Sequence, residues 1–410
     1  MDLDNLDRQI RDGLSETFAW HEKTGIENTR KILREFKKNQ VSGHCFHPAG
    51  GYGYSDLGRD LLDNIYAGVF KTQKAIVRTQ FVSGTHALST VLFGVLRSGD
   101  EMLSVTGEPY DTLRTVIGAR VKQKGSLAEH GITYREVDFD RNGEVDLDKI
   151  KRAVGARTRL VYIQRSCGYS MRKTLLVEEI GRICETVKKA KPDCICFVDN
   201  CYGEFVEKTE PTEAGADIMA GSLIKNPGGG LAPSGGYIAG REELVEMAGF
   251  HYTAPGLGSA MGSAGGDAQK LLYQGLFLSP HITLQAVKTA IYAAALFSRL
   301  GYHVSPDERA ARGDIIQRIS LKTRAALIAF CQAVQENSPV DAYVSPTPGK
   351  VPGYQDDVIM AAGTFVQGAS IELSADGPLR PPYTVYLQGG LTFEHGILAL
   401  LACAKNIAKS

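Results

Sequence analysis

Leu3, Leu6, Ile10, Leu14 and Phe18 recur every three or four residues with charged positions between them. That period predicts an amphipathic helical stretch over residues 2–38. The glycine-rich run GHCFHPAGGYGYSDLGRD (43–60) breaks the pattern and reads as a loop, because clustered glycine disfavours regular helix. From about residue 60, β-rich runs alternate with helical ones. Ala75–Val82, Met102–Val105, Thr133–Val137, Leu160–Gln164, Ile195–Asp199, Ile218–Leu223 and Gly236–Ala239 are the predicted strands. Leu88–Leu96 and Val177–Lys189 are predicted helices between them. Alternation of this kind predicts a mostly parallel sheet covered on both faces. Leu160–Ile163 and Ile195–Val198 are nearly all apolar, as strands buried on both sides should be. Residues 281–299 read as helix, the Pro/Gly-rich segment SPTPGKVPGYQDD (345–357) divides the C-terminal region, and Leu391–Ala408 reads as a final helix.

The chain has 410 residues, too many for one compact core. The expected division is an N-terminal helical segment and glycine-rich loop (1–59), a large sheet domain (60–290) and a small α+β C-terminal domain (291–410). Lys+Arg and Asp+Glu balance at 46 each, with no long basic run, so nucleic acid is not an expected partner. No apolar run reaches the roughly 18 residues that cross a bilayer. The first residues, MDLDNLDRQI, are acidic and lack the apolar stretch of a secretory signal, so a cytoplasmic protein is expected. The eight cysteines are scattered, and Cys194 and Cys196 in CICFVDN do not have zinc-ligand spacing. Neither a metal site nor disulfides are expected.

Candidate chemistry lies where predicted strands end, since ligands of open α/β sheets bind beyond the carboxyl ends of strands. In FVDNCYGEF (197–205) an apolar strand ends in Asp199. A carboxylate there needs a cation or several donors, or else caps a turn. In AGSLIKNPGGGLAPSGG (220–236), Lys225 follows an apolar run and precedes a glycine cluster. Desolvation at such a place is expected to lower the lysine pKa, and a neutral amine can attack an aldehyde to form a Schiff base. Ser222, three residues earlier, can bond a phosphate. In QFVSGTHALSTVLFGVL (80–96), Ser83-Gly84-Thr85 sits between a strand and a helix, offering either an anion site or ordinary N-capping. In VTGEPYDTL (105–113), Tyr110 is placed to stack on an aromatic ligand or to lie on a surface loop.

The ordered set SGTHA, GEPYDT, VDNCYGEF and SLIKNPGGG resembles the fold-type I enzymes that use pyridoxal 5′-phosphate (PLP). More narrowly it resembles the Cys/Met-metabolism branch and its methionine gamma-lyase-like, or aluminium-resistance, group. The resemblance runs from about GYGYSDLGRD to QGGLTFEHG and is most specific in SLIKNPGGGLAPSGGYIAG. It implies a three-layer α/β/α PLP-dependent transferase-like fold with a mostly parallel large sheet and a smaller α+β C-terminal domain. It implies Lys225 as the Schiff-base lysine and proton carrier, Asp199 at the pyridine nitrogen, Tyr110 on the ring, and Ser83, Gly84, Thr85 and Ser222 around the phosphate. Tyr54 and Arg59 are the candidates to reach the phosphate of a neighbouring subunit, which makes a homodimer or homotetramer with an interfacial active site the expected assembly. Arg380, in DGPLRPPY, is the candidate for the substrate carboxylate.

Three positions depart from the branch. Its usual Ser-x-Thr-Lys is here Ser222-Leu-Ile-Lys225, so one phosphate contact is missing or replaced. In IQRSCGYS (163–170), Gln164, Arg165 and Ser166 compete for the place beside the cofactor 3-hydroxyl, and Cys167 stands where an arginine is more usual. The activity implied is carbon–sulfur elimination from a small amino-acid substrate, of cystathionine β-lyase or methionine γ-lyase type. An aminotransferase and a PLP-binding protein without turnover are the alternatives.

Overall fold

Side-chain alternation along one short strand decides the architecture of the larger half. Ile195 and Phe197 belong to one apolar cluster, Cys196 and Val198 to another, as the two-residue period of a strand requires. A run that is apolar on both parities must be covered on both faces. The computed structural model describes residues 2–120, 123–350 and 356–408. The larger sheet contains β1 (Lys74–Arg78), β2 (Glu101–Ser104), β3 (Thr133–Glu136), β4 (Thr158–Gln164), β5 (Ile195–Asp199), β6 (Ile218–Ser222) and β7 (Gly236–Gly240). Their order is β1-β7-β6-β5-β4-β2-β3.

Pairs from β3 through β6 are parallel, whereas β7 runs antiparallel to both β6 and β1. A parallel return needs a long crossover, and the β6–β7 connection holds only the short turn Asn226–Gly228. Helices Leu57–Val69 and Val177–Ala190 bury Leu62, Ile65, Ile180 and Ile183 on one face. Gly84–Val95, Asp111–Ile117 and Glu242–Tyr252 bury Leu88, Val91, Leu113 and Leu244 on the other.

The smaller sheet is wholly antiparallel, with β8 (His303–Ser305), β9 (Ile316–Ser320), β10 (Val358–Ala361), β11 (Ser374–Pro378) and β12 (Thr384–Gln388) in the order β10-β11-β12-β9-β8. The long helix Ala268–Arg299 joins the two halves. Leu272, Tyr273 and Leu276 enter the large-sheet core, while Ala286 through Phe297 pack with the small sheet and with Ile10, Leu14 and Phe18. Among the described residues, no helix is long and apolar enough to cross a membrane. All eight cysteines are buried and free.

Three readings change. The N-terminal stretch is two helices, Leu3–Gly13 and Ser15–Lys38, meeting at Leu14. The first strand ends at Arg78 rather than Val82, because its ladder partner β7 begins at Gly236, opposite Arg78; Val82 is 82% exposed. The helix expected over 281–299 begins at Ala268, its first half disguised by Gly275 and Pro280. Residues 351–355 of the Pro/Gly-rich segment lie outside the described residues.

Candidate active site

The carboxyl ends of β4, β5 and β6 open together into a cleft of about 1120 Å³, lined by both sheets. Gln164 ends β4, Asp199 ends β5 and Ser222 ends β6, and Gln164 pairs in register with Asp199. Asp199 is 4% exposed. Its Oδ2 accepts a hydrogen bond from the Tyr162 hydroxyl at 3.1 Å, and its Oδ1 accepts one from the Cys201 amide at 3.1 Å. Burial pushes the Asp199 pKa up, and the charge of Lys225 and these donors oppose the rise.

Lys225 follows β6 through a tight turn, its amide bonded to the Ser222 carbonyl at 3.4 Å. Its Nζ lies 4.0 Å from the centre of the Tyr202 ring. The side chain is half-buried and faces the cleft. The lowered pKa expected for this amine is overturned. Burial does favour the neutral form, but Cys201, Tyr202, Asp199 and Tyr110 outweigh it and hold the pKa well above the usual lysine value. Desolvation was legible in the apolar run; the acidic neighbours were not.

Ser83 caps the helix Gly84–Val95, its Oγ accepting from the His86 amide at 3.1 Å. The N–H groups of Gly84 and Thr85, in the first turn, have no acceptor within the helix. Gly84 packs against β6, so that a Cβ there would come within 3.2 Å of Ser222 Cβ and 3.5 Å of Cys201 Sγ. Thr85 Oγ1 bonds the Tyr110 hydroxyl at 2.9 Å and Thr112 Oγ1 at 3.0 Å. The Tyr110 amide donates to Gln164 Oε1 at 3.1 Å, and Gln164 Nε2 donates to the Ser166 carbonyl at 3.0 Å. Burial first, then the charge of Asp199, raises the Tyr110 pKa and keeps its phenol protonated.

The structure therefore brings Ser83, Gly84, Thr85, Tyr110, Gln164, Asp199, Ser222 and Lys225 into one cleft. Of the three competitors at the end of β4, Arg165 points into the core, pairing with Glu207 at 2.7 Å and Asn200 at 2.7 Å, and leaves Gln164 and Ser166. Cys167 also lines the cleft. Arg380 stands exposed at the cleft with Asp356 at 3.2 Å. Tyr54 and Arg59 do not line the cleft of their own chain. Tyr54 is 57% exposed, whereas the Arg59 guanidinium is committed to the Gly53 carbonyl at 2.6 Å and to Asp60 at 2.8 Å.

The residues that sequence reasoning missed are Tyr162, Cys201, Tyr202 and Asp376. Strand parity could have found Tyr162, which shares the face of Gln164 two residues on. Tyr202 has a φ of 72°, a local turn without a sequence signal.

The methionine gamma-lyase family model matches residues 3–408. The uncharacterized protein YnbB of Bacillus subtilis is 48% identical over 395 residues, covering 96% of this chain and 91% of its own. A Listeria monocytogenes structure, provisionally described as a cystathionine beta-lyase involved in aluminum resistance, superposes with a TM-score of 0.97 at 48% identity, covering 98% of this chain and 100% of that one. A Clostridium novyi structure described as a carbon-sulfur lyase involved in aluminum resistance gives a TM-score of 0.94 at 46% identity over 98% of this chain and 95% of its own. The family and its structural neighbours are PLP-dependent enzymes, and their fold is the type I arrangement of a mostly parallel large sheet beside a smaller antiparallel one. By sequence over nearly its whole length and by fold, this chain belongs to the methionine gamma-lyase family.

Proposed function

We propose that the protein is a PLP-dependent carbon–sulfur lyase that eliminates a thiol from a sulfur-containing amino acid, in the manner of a cystathionine β-lyase or a methionine γ-lyase. The observation that carries this reading is the joint placement of an amine, Lys225, and a buried acid, Asp199, at the ends of adjacent parallel strands in one cleft. The cleft suits the cofactor. A Cβ at Gly84 would crowd Ser222, and the backbone N–H groups of this helix N-terminus offer donors to an anion.

When bound, PLP supplies an electrophilic aldehyde and a ring that accepts electrons. Lys225 Nζ is the amine that would carry the cofactor and, once released, the base beside the substrate Cα. Asp199 would hold the proton of the ring nitrogen, its carboxylate steadied by Tyr162 and the Cys201 amide. Gly84 and Thr85, with Ser83 and Ser222, would bind the phosphate, and Gln164 would stand beside the cofactor hydroxyl. Tyr110 would lie along the ring, and its protonated phenol can give its proton to the departing sulfur. Arg380 would orient the substrate carboxylate through its planar fork. The protein would act as a cytoplasmic homodimer or homotetramer in which Tyr54 of one protomer serves the phosphate end of a neighbouring cleft, while Arg59, bound to the Gly53 carbonyl and Asp60, holds the loop that carries it. The outward-facing Tyr52 and Tyr54 rings, 5.8 Å apart, support this.

The test follows cofactor and products together. The purified protein should show the visible absorption of lysine-bound PLP, Lys225→Ala should lose it, and wild type should release keto acid, ammonia and thiol from cystathionine or methionine. An unchanged band in Lys225→Ala refutes the site. Accumulation of pyridoxamine phosphate identifies an aminotransferase instead, and bound cofactor without keto-acid release across an amino-acid panel identifies a binding protein.

A further inference from the structure

Asp376 lines the cleft without any part in the reaction proposed above. It lies in the middle of β11, opposite Tyr386 of β12 and Met360 of β10. It is 6% exposed. One carboxyl oxygen, Oδ2, accepts a long hydrogen bond from Gln388 Nε2 at 3.3 Å, and the other, Oδ1, has no hydrogen-bond partner. A buried carboxyl served, among the described residues, only by this long contact and by the Tyr169 phenol, with no cation, is disfavoured as an anion. Burial accordingly pushes its pKa up to about 7, with the Tyr169 phenol restraining the rise. Among the described residues no Lys or Arg pairs with it. Arg380, four residues on, is turned to Asp356.

The rest of this wall is aromatic. The Tyr169 and Tyr386 rings lie 5.0 Å apart, and the Tyr386 hydroxyl donates to the Tyr169 carbonyl at 2.9 Å. Tyr202, whose ring faces Lys225 Nζ, is near enough for the Asp376 charge to raise its pKa. One acid lacking a cation, set among phenol rings on the small-sheet wall of the cleft, is a surround that favours an organic cation.

We propose that Asp376 is a specificity residue that receives an ammonium group at the far end of the substrate, so that thioether amino acids bearing a second amine are preferred to neutral ones. The assignment deepens the lyase reading and rests on it for the bond that breaks; the binding preference itself does not depend on that bond. An incoming ammonium supplies the cation that the acid lacks, donates to Oδ1 and stabilises the ionised carboxyl. An alkyl group in the same place leaves Oδ1 unpaired, and sites built for a polar partner reject analogues that lack it.

S-(2-aminoethyl)-L-cysteine and S-propyl-L-cysteine form the diagnostic pair, since they differ only in a terminal ammonium against a methyl group. Both are given to the wild-type holoprotein and to the Asp376→Asn and Asp376→Glu variants, each first checked for unchanged cofactor absorption. Thiol release yields kcat/KM, and calorimetry yields dissociation constants. The wild type should favour the aminoethyl compound at least about tenfold, because loss of one member of a buried charge pair strands the other. Asp376→Asn should erase the preference while changing the propyl compound less than about threefold, and Asp376→Glu should restore part of it. Equal handling of the two compounds by wild type, or an equal loss for both in Asp376→Asn, overturns the assignment. A binding preference that Asp376→Asn abolishes, with no thiol from either compound, sustains Asp376 and sinks the lyase reading. Thiol from both without preference does the reverse.

Discussion

Replacing Tyr162 by Phe removes a single oxygen atom from the cleft and should weaken PLP binding about ten- to hundredfold. The ring itself is not at stake. It is fully buried on β4 and packs edge-on against Phe197 with centres 5.8 Å apart, a contact that phenylalanine keeps. The hydroxyl is one of the donors that hold the Asp199 carboxylate, at 3.1 Å from Oδ2, with the Cys201 amide 3.1 Å from Oδ1. A hydrogen bond to a charged group contributes roughly 1.5–3 kcal/mol, and about 1.4 kcal/mol corresponds to one decade in an equilibrium constant. Burial already raises the Asp199 pKa; losing a donor of its ionised form raises it further. Any limb of the activity profile on which Asp199 must be ionised therefore moves to higher pH. Titration of the apoprotein with PLP, followed by visible absorption, reads the affinity, and circular dichroism confirms the fold. A dissociation constant within twofold of wild type, with the fold intact, would refute the reasoning, because it would mean that the Tyr162–Asp199 contact does not govern the acid.

The other predictions concern stability. The buried Asp376 binds its proton more tightly in the folded state, near pH 7, than in the unfolded state, near 3.8. Its stabilising contribution is thus fully present below about pH 4 and is lost as pH rises toward 7. Asp376→Asn lacks that slope and should gain on wild type by up to about 4 kcal/mol at pH 8 relative to pH 4; equal urea midpoint differences at both pH values would contradict it. Arg165→Met strands Glu207 and Glu210, which the guanidinium reaches at 2.7 and 3.6 Å, and should destabilise by about 3–5 kcal/mol in chemical denaturation. A loss under about 1 kcal/mol would show the pair to be dispensable. At Gly275 an added Cβ would meet the Gly228 carbonyl oxygen at 2.2 Å. Gly275→Ala should therefore lower the thermal midpoint, at about 1–3 kcal/mol, and weaken PLP binding by displacing the turn after Lys225. Gly13→Ala, in a helix with its nearest contact 4.0 Å away, is the control that should leave PLP binding unchanged and not lower the thermal midpoint.

What could be read in advance follows from where the sequence is chemically unusual. Asp199 and Lys225 each end an apolar run, and a charge in that position is conspicuous because burial penalises it. The alternating strands and helices around them were equally plain, since strands covered on both faces must be apolar on both parities. The small sheet was not plain. β11 reads Ser-Ala-Asp-Gly-Pro, which no propensity marks as a strand; it is one because β10 and β12 pair with it on either side. The same absence of local signal hid Asp376.

The residues that tune the acid and the amine were hidden for a related reason. Tyr162, Cys201 and Tyr202 are ordinary in composition, and they matter only because the register of β4 against β5 and one left-handed turn deliver them to Asp199 and Lys225. Desolvation, which depends on the neighbouring apolar run, was therefore foreseen for Lys225, while the acidic side chains that oppose it, brought up by the turns after β2 and β5, were not. The sign of its pKa shift came out opposite to expectation. In this sheet, strand-end composition locates the reactive groups, but the side chains that register and the following turns set beside them tune their protonation. A substitution on β4 that leaves every predicted site residue in place, as Tyr162→Phe does, should accordingly still change the chemistry through Asp199.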